Sequence, residues 1–165
     1  MTDSASPTTV RPLGRPGDLG WVVQAHGELY FEEFGWDTTM EALVARIVAD
    51  YAEDTDPRRA AWIAERDDGT RLGCVFCVPA DDITAKLRIL LVHPDGRGHG
   101  LGRALVDRCV EHARAQGFQL MRLGTNDVLA AARRIYLDRG FTLTATEPHH
   151  SFGHDLVGQT YELQL

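Results

Sequence analysis

The stretch HPDGRGHGLGRALV, residues 93–106, places four glycines (Gly96, Gly98, Gly100 and Gly102) within seven positions and then enters a helical pattern without a break. Glycine inside a regular element costs about 0.5–1 kcal/mol against alanine. Four of them between an apolar strand and a helix predict a loop whose bare N–H groups converge at the positive end of a helix dipole. Such a loop holds an anion, usually phosphate. A Walker loop requires Gly-Lys-Ser/Thr, and GHGLGRALV has no such pair. The dinucleotide pattern Gly-x-Gly-x-x-Gly fails because the glycine pair Gly98 and Gly100 is followed three residues on by Arg103. The next strand, moreover, ends LGTND in a polar turn instead of the ribose-binding carboxylate. What remains is Arg97-x-x-Gly100-x-Gly102.

Outward from the loop, periodicity assigns the neighbours. ITAKLRILLV (83–92) alternates at first, Leu87, Ile89 and Leu91 against Lys86, Arg88 and Leu90, and then turns continuously apolar, as a central buried strand does. LGRALVDRCVEHARAQG (101–117) carries Leu101, Leu105, Val106, Cys109, Val110 and Ala113 on one helical stripe, with Gly117 at C′. QLMRLGT (119–125) reads as a strand. DVLAAARRIYLDRG (127–140) reads as a helix capped by Asp127, with Ile135 and Tyr136 inward. FTLTATE (141–147) and VGQTYELQL (157–165) are closing strands.

On the N-terminal side, residues 1–7 predict a loose Ser/Thr/Pro tail, TTVRPL (8–13) a strand, and the helical spacing of Val22, His26, Leu29 and Tyr30 a first helix within 15–35. TTMEALVARIVADY (38–51) is a second helix, with Thr38 and Glu41 at capping-box spacing. AAWIAER (60–66) and RLGCVFCV (71–78) are strands reversed by DDGT. The order β-α-α-β-β-β-α-β-α-β-β has one strand–helix–strand crossover, at the glycine loop, with hairpins on either side. It predicts a single α/β domain over 8–165, a mixed sheet with packed helices and not a doubly wound one.

Composition bounds the function. With 165 residues, 44% hydrophobic and 25% charged, this is an ordinary globular chain. A net charge of -7 argues against a nucleic-acid groove and mildly favours cationic substrates. The start MTDSASPTTV lacks the pattern of a signal peptide, and no apolar run approaches ~20 residues, so no membrane span is expected. Three cysteines, an odd number without framework spacing, fit a reducing compartment, and the expectation is cytoplasmic. Cys74-x-x-Cys77 has no second ligand pair, and in a strand its thiols point to opposite faces.

The Arg97-x-x-Gly100-x-Gly102 signature, LLVHPDGRGHGLGRALV around it, the strand ending in Asn126 and the segment AARRIYLDRGF resemble the GNAT superfamily of N-acetyltransferases. The stretch EPHHSFGHDLVGQTYELQL is also similar to the acetyltransferase half of bacterial chains that fuse a MarR-type winged helix to this domain. The winged helix is absent here, so no nucleic-acid partner is expected. The resemblance implies the GNAT fold, a mostly antiparallel mixed sheet of six or seven strands flanked by about four helices. It implies acetyl-CoA as acyl donor and no metal. The amides of Arg97, Gly98, His99, Gly100, Leu101 and Gly102 would hold its pyrophosphate, and the pantetheine arm would pair with Leu90, Leu91 and Val92 like an added strand. Arg103 and Arg133 would add positive charge, and Asn126 would reach the pantetheine or the thioester. Tyr136 matches the superfamily's tyrosine that protonates the departing thiolate. A homodimer is compatible with it, since many relatives dimerise.

Transfer of acetyl to a primary amine also needs a group that takes the amine's proton. Some relatives use a glutamate on the fourth strand, but ITAKLRILLV has no carboxylate. Candidates are Glu28, Glu32, Glu33, Asp127, His149 and His150. Glu32, Glu33, Trp36 and His150 are the expected acceptor-site residues, for a small-molecule amine or a protein lysine. No nucleophile presents itself at the loop, so transfer is expected to be direct. Two other readings stay open: a module that senses acyl-CoA without catalysis, and a nucleotide-phosphate binder of another fold.

Overall fold

The computed structural model describes residues 7–165, and the expected tail therefore lies outside the described residues except for Pro7. The elements follow the expected order: β1 (Thr8–Pro12), α1 (Asp18–Phe34), α2 (Thr38–Glu53), β2 (Ala60–Arg66), β3 (Arg71–Pro79), β4 (Thr84–Val92), α3 (Leu101–Ala115), β5 (Leu120–Asn126), α4 (Ala130–Asp138), β6 (Thr142–Ser151) and β7 (His154–Gln164), with a single 3-10 turn at Pro94–Gly96. One seven-stranded sheet runs β1-β2-β3-β4-β5-β7-β6. Only the β4–β5 pair is parallel, because the α3 crossover separates those two strands. The apolar stripe of α3 and Tyr136 of α4 bury against one face of the sheet. Helices α1 and α2 bury Val22, Leu29, Val44 and Val48 against the other. Within β3, Cys77 joins the α3 side and Cys74 the α1 side, as strand alternation requires.

Two local expectations are corrected. The cap of α2 is Asp37, whose carboxylate accepts from Thr39 N at 3.0 Å, and not Thr38. The α4 helix begins after Leu129 with no side-chain cap. Asp127 serves strand β7 instead: its Oδ1 accepts from Val157 N at 3.2 Å. The start of α1 is fixed by Asp18, which is buried and accepts from both Nη atoms of Arg11, from Arg71 Nε and from the amides of Gly14 and Arg15. Burial alone would raise this carboxyl, but the bonds from Arg11, Gly14, Arg71 and Arg15 outweigh it and hold it well below the usual carboxylate range.

The strand geometry that makes the site lies in β4. It pairs with β5 only from Thr84 to Lys86, against Leu120 to Arg122, and past these rungs the two strands separate. A register shift against β3 falls between Cys74 and Phe76, and Ile89 takes φ +47 there, a left-handed conformation that is costly for a β-branched residue. The shift reverses the phase of the strand. Ala85 and Leu87 face α3 before it, while Leu90 and Val92 pack on that side after it and Leu91 turns to the α1 side.

Candidate active site

A cavity of about 510 Å³ opens where β4 and β5 part. Leu90, Leu91 and Val92 line it from β4, Tyr30 and Glu33 from α1, and the start of α4 from the far side. Its floor is the glycine loop: Arg97, Gly98, Gly100, Leu101, Gly102 and Arg103 all line it, whereas His99 does not. Gly98 and Gly100 have φ +82 and +71 with open space beside them, a conformation that excludes ordinary side chains. No side chain caps α3, so the first-turn amides of this helix are left for a ligand. These features form an anion site with a positive dipole end and an apolar trough leading away from it.

The cationic side chains around the loop are engaged within the protein. Arg97 Nη2 pairs with Glu33 Oε1, which spans the cavity between loop and α1, so the glutamate expected at an acceptor site stands in the anion site. Arg103 Nη2 lies 3.1 Å from Asp138 Oδ2. Arg133 Nη1 donates to the Asp127 carbonyl at 2.7 Å and does not line the cavity.

Tyr136 is 4% exposed, and its ring packs 5.7 Å from Phe141 and 6.2 Å from Tyr161. Burial, then Tyr30 and Cys109, raise its phenol above the ordinary value, so it keeps its proton at neutral pH. Tyr30, whose phenol burial raises likewise, lines the cavity itself. Cys109 is buried on the α3 stripe with its thiol pushed up by burial, and it offers no nucleophile there.

A second cavity, of about 520 Å³, lies on the α2 side over β5, β7 and β6. Asn126 lines this one and not the first. Gly124, Glu147, His149, Ser151 and Phe152 line it with Leu43 of α2. The two histidines of β6 separate by strand alternation. His149 turns into the cavity, where its Nε2 is 2.8 Å from Asn126 Oδ1. His150 is exposed and pairs outward with Asp155 at 2.9 Å.

The remaining acceptor-site expectations are displaced as well. Trp36 is 3% exposed and stacks with Tyr30, Phe34 and Phe152 at 5.0–5.3 Å, lining neither cavity. Glu32 is exposed, and Glu28 accepts from Gln24 on the surface. His154 contacts the Gly35 carbonyl, so the three histidines of this segment do not converge. Among the described residues no three His, Cys, Asp or Glu side chains gather as metal ligands, and no helix is long and apolar enough to cross a membrane. Glu147 and Ser151 did not stand out in the sequence. Period-2 alternation continued through PHHS would have placed both on the side of His149.

Comparison with known proteins agrees with this architecture. The model of the acetyltransferase (GNAT) family matches residues 23–141. An uncharacterised N-acetyltransferase of the fission yeast Schizosaccharomyces pombe is 31% identical over 122 residues, 73% of this chain and 74% of that protein. The L-methionine sulfoximine/L-methionine sulfone acetyltransferase of Salmonella typhimurium is 42% identical over 76 residues, which are 45% of this chain and 44% of that protein. YncA of Salmonella typhimurium, solved with its cofactor acetyl-CoA, shares the fold with a TM-score of 0.74 at 24% identity, over 96% of this chain and 94% of that one. Fold, loop and family model converge: the chain is an acyltransferase fold of the GNAT class and belongs to the GNAT family of acetyltransferases.

Proposed function

We propose that this protein binds acetyl-CoA in the cavity between β4 and β5 and transfers the acetyl group directly to a primary amine. One observation carries the reading: the uncapped start of α3, with Gly98 and Gly100 at positive φ, opens onto an apolar trough bordered by the unpaired end of β4. A pyrophosphate suits the loop, and an amide-rich arm suits an open strand edge that reads main chain. Tyr136 would protonate the departing thiolate. Arg97 would exchange Glu33 for phosphate. With no cysteine, serine or threonine lining the trough, the amine attacks the thioester carbonyl itself.

The acceptor is a small amine or a protein lysine. Amino-acid analogues are the acceptors named for the Salmonella relative, and they head the panel to be tested. Three buried free thiols support a reducing, cytoplasmic setting.

Calorimetric titration with acetyl-CoA, using ATP and NADH as controls, tests the donor. Gly100→Asp places a side chain at φ +71 and a negative charge on the loop, and binding is expected to be lost. Release of CoA thiol against an amine panel then separates transfer from binding alone. Preference for ATP or NADH over acetyl-CoA would overturn the reading.

A further inference from the structure

β6 is the outermost strand of the sheet, yet one of its side chains reaches the end of β5. His149 crosses the intervening strand β7 at Gly158. A Cβ at that position would already touch the ring, 3.4 Å from Cδ2 and 3.5 Å from Nε2, and any longer side chain would take the ring's place. Nε2 then meets Asn126 Oδ1 at 2.8 Å, and Nδ1 meets Ser151 Oγ at 2.9 Å. An amide oxygen only accepts, so Nε2 carries the hydrogen and the lone pair sits on Nδ1, where the Ser151 hydroxyl donates to it. The ring is thus held in one plane and one tautomer, with its basic nitrogen behind a hydroxyl that lines the second cavity.

We propose that the second cavity is the acceptor site and that His149, oriented by Asn126, is the general base that deprotonates the incoming ammonium through Ser151. This rests on the acetyltransferase reading above. The Ser151 hydroxyl takes a proton from the ammonium as its own proton passes to Nδ1. The products are a neutral amine and an imidazolium, whose two N–H groups are both accepted, by Asn126 Oδ1 and Ser151 Oγ. The amine lone pair attacks the thioester carbonyl, and the C–S bond breaks as the thiolate takes the Tyr136 proton. The surplus proton on nitrogen restores the phenol through solvent, and the imidazolium returns its proton to solvent. Overall, an ammonium and a thioester give an amide, a thiol and one proton.

Glu147, two residues along β6, is the other titratable side chain lining the cavity, and it suits a cationic substrate. Leu43 and Phe152 face His149 without charge, and so do the β5 and β7 residues that line the cavity. Arg122 lies further along β5, paired with Glu162 at 3.6 Å.

Steady-state transfer to the best amine of the panel, followed from pH 5.5 to 9.5, tests the relay alongside acetyl-CoA binding by calorimetry. His149→Gln is expected to lower kcat about 10²-fold at pH 7. The variant's rate should instead climb across the whole pH range, following the free amine and recovering towards wild type at high pH, and acetyl-CoA affinity should stay within about twofold. Gly158→Val keeps the histidine but blocks its path to Asn126, and should reproduce the loss. A His149→Gln kcat within about threefold of wild type, or an unchanged pH profile, overturns the relay while leaving the acetyltransferase reading intact. Loss of acetyl-CoA binding in His149→Gln also overturns it, since the histidine would then serve the donor. Wild type that binds acetyl-CoA but transfers to no amine sinks both.

Discussion

Glu33→Gln should make this protein bind acetyl-CoA more tightly. The Glu33 carboxylate holds Arg97 across the mouth of the anion site, and a pyrophosphate bound as proposed would have to break that pair. The two side chains are 32% and 52% exposed, so the pair is worth about 0.5–1 kcal/mol. A carboxylate left beside a bound phosphate adds repulsion of at most about 1 kcal/mol per charge in water-like dielectric, less after screening. Together these oppose binding by about 1 kcal/mol, which is about fivefold in Kd. Calorimetry at 50 mM salt should show that gain. At 0.5 M salt it should shrink below about twofold, because exposed charges are screened. Unchanged or weaker binding by Glu33→Gln at low salt would mean that Arg97 does not face the phosphate, and the assignment of the loop would fall with it.

Three further outcomes follow from buried groups. Burial holds the His26 imidazole down at about 4 against 6.5, and its Nε2 has no hydrogen-bond partner. The folded value is the lower one, so stability is complete above pH 6.5 and is lost as pH falls towards 4, by about 2.5 kcal/mol at pH 4.5. Urea unfolding at pH 7.5 and 4.5 should show this loss in wild type and a clearly smaller one in His26→Leu; equal losses would refute it. Tyr136→Phe should cut kcat about 10²-fold with acetyl-CoA affinity unchanged, and full turnover by the variant would remove the tyrosine from the mechanism. Asp18→Asn leaves Arg11, 12% exposed, without its bidentate partner, so thermal unfolding should show a loss of about 3 kcal/mol; a Tm within about 2 °C of wild type would contradict the anchoring of α1.

The glycine loop, α2 and α3 were legible in the sequence because their signals are local: glycine spacing, a 3.6-residue stripe and turn residues. The two closing strands were also legible, but their continuation through residues 148–156 to a tight turn was not. His149, His150 and Ser151 belong to a strand exposed along most of its length, which writes no apolar alternation, and the two-residue turn Phe152-Gly153 sits within a run of polar residues. Missing that extension misplaced Trp36, since Phe152 at the turn is what closes over it. The cap of α2 went to Asp37 instead of Thr38 for a similar reason, because the Asp37 amide is tied to the Phe152 carbonyl at 3.1 Å, a contact between residues far apart in the chain. Asn126 stood out through the family resemblance, at the end of β5. Which cavity it serves depended on Gly158 letting a histidine across.

The three rungs from Thr84 to Lys86 are the only β4–β5 hydrogen-bonded register among the described residues, and they join β1–β4 to β5–β7 like a short hinge between two plates. The open end of that hinge is where a donor would lie as a temporary eighth strand. Binding would then stiffen the joint between the plates as well as fill a hole. Amide hydrogen exchange at Leu90, Leu91 and Val92 should slow on saturation, and the two plates should melt together more sharply when loaded than when empty. On the proposed reading, the concentration of the donor would set how firmly the second cavity, carried on the distal plate, is held in place.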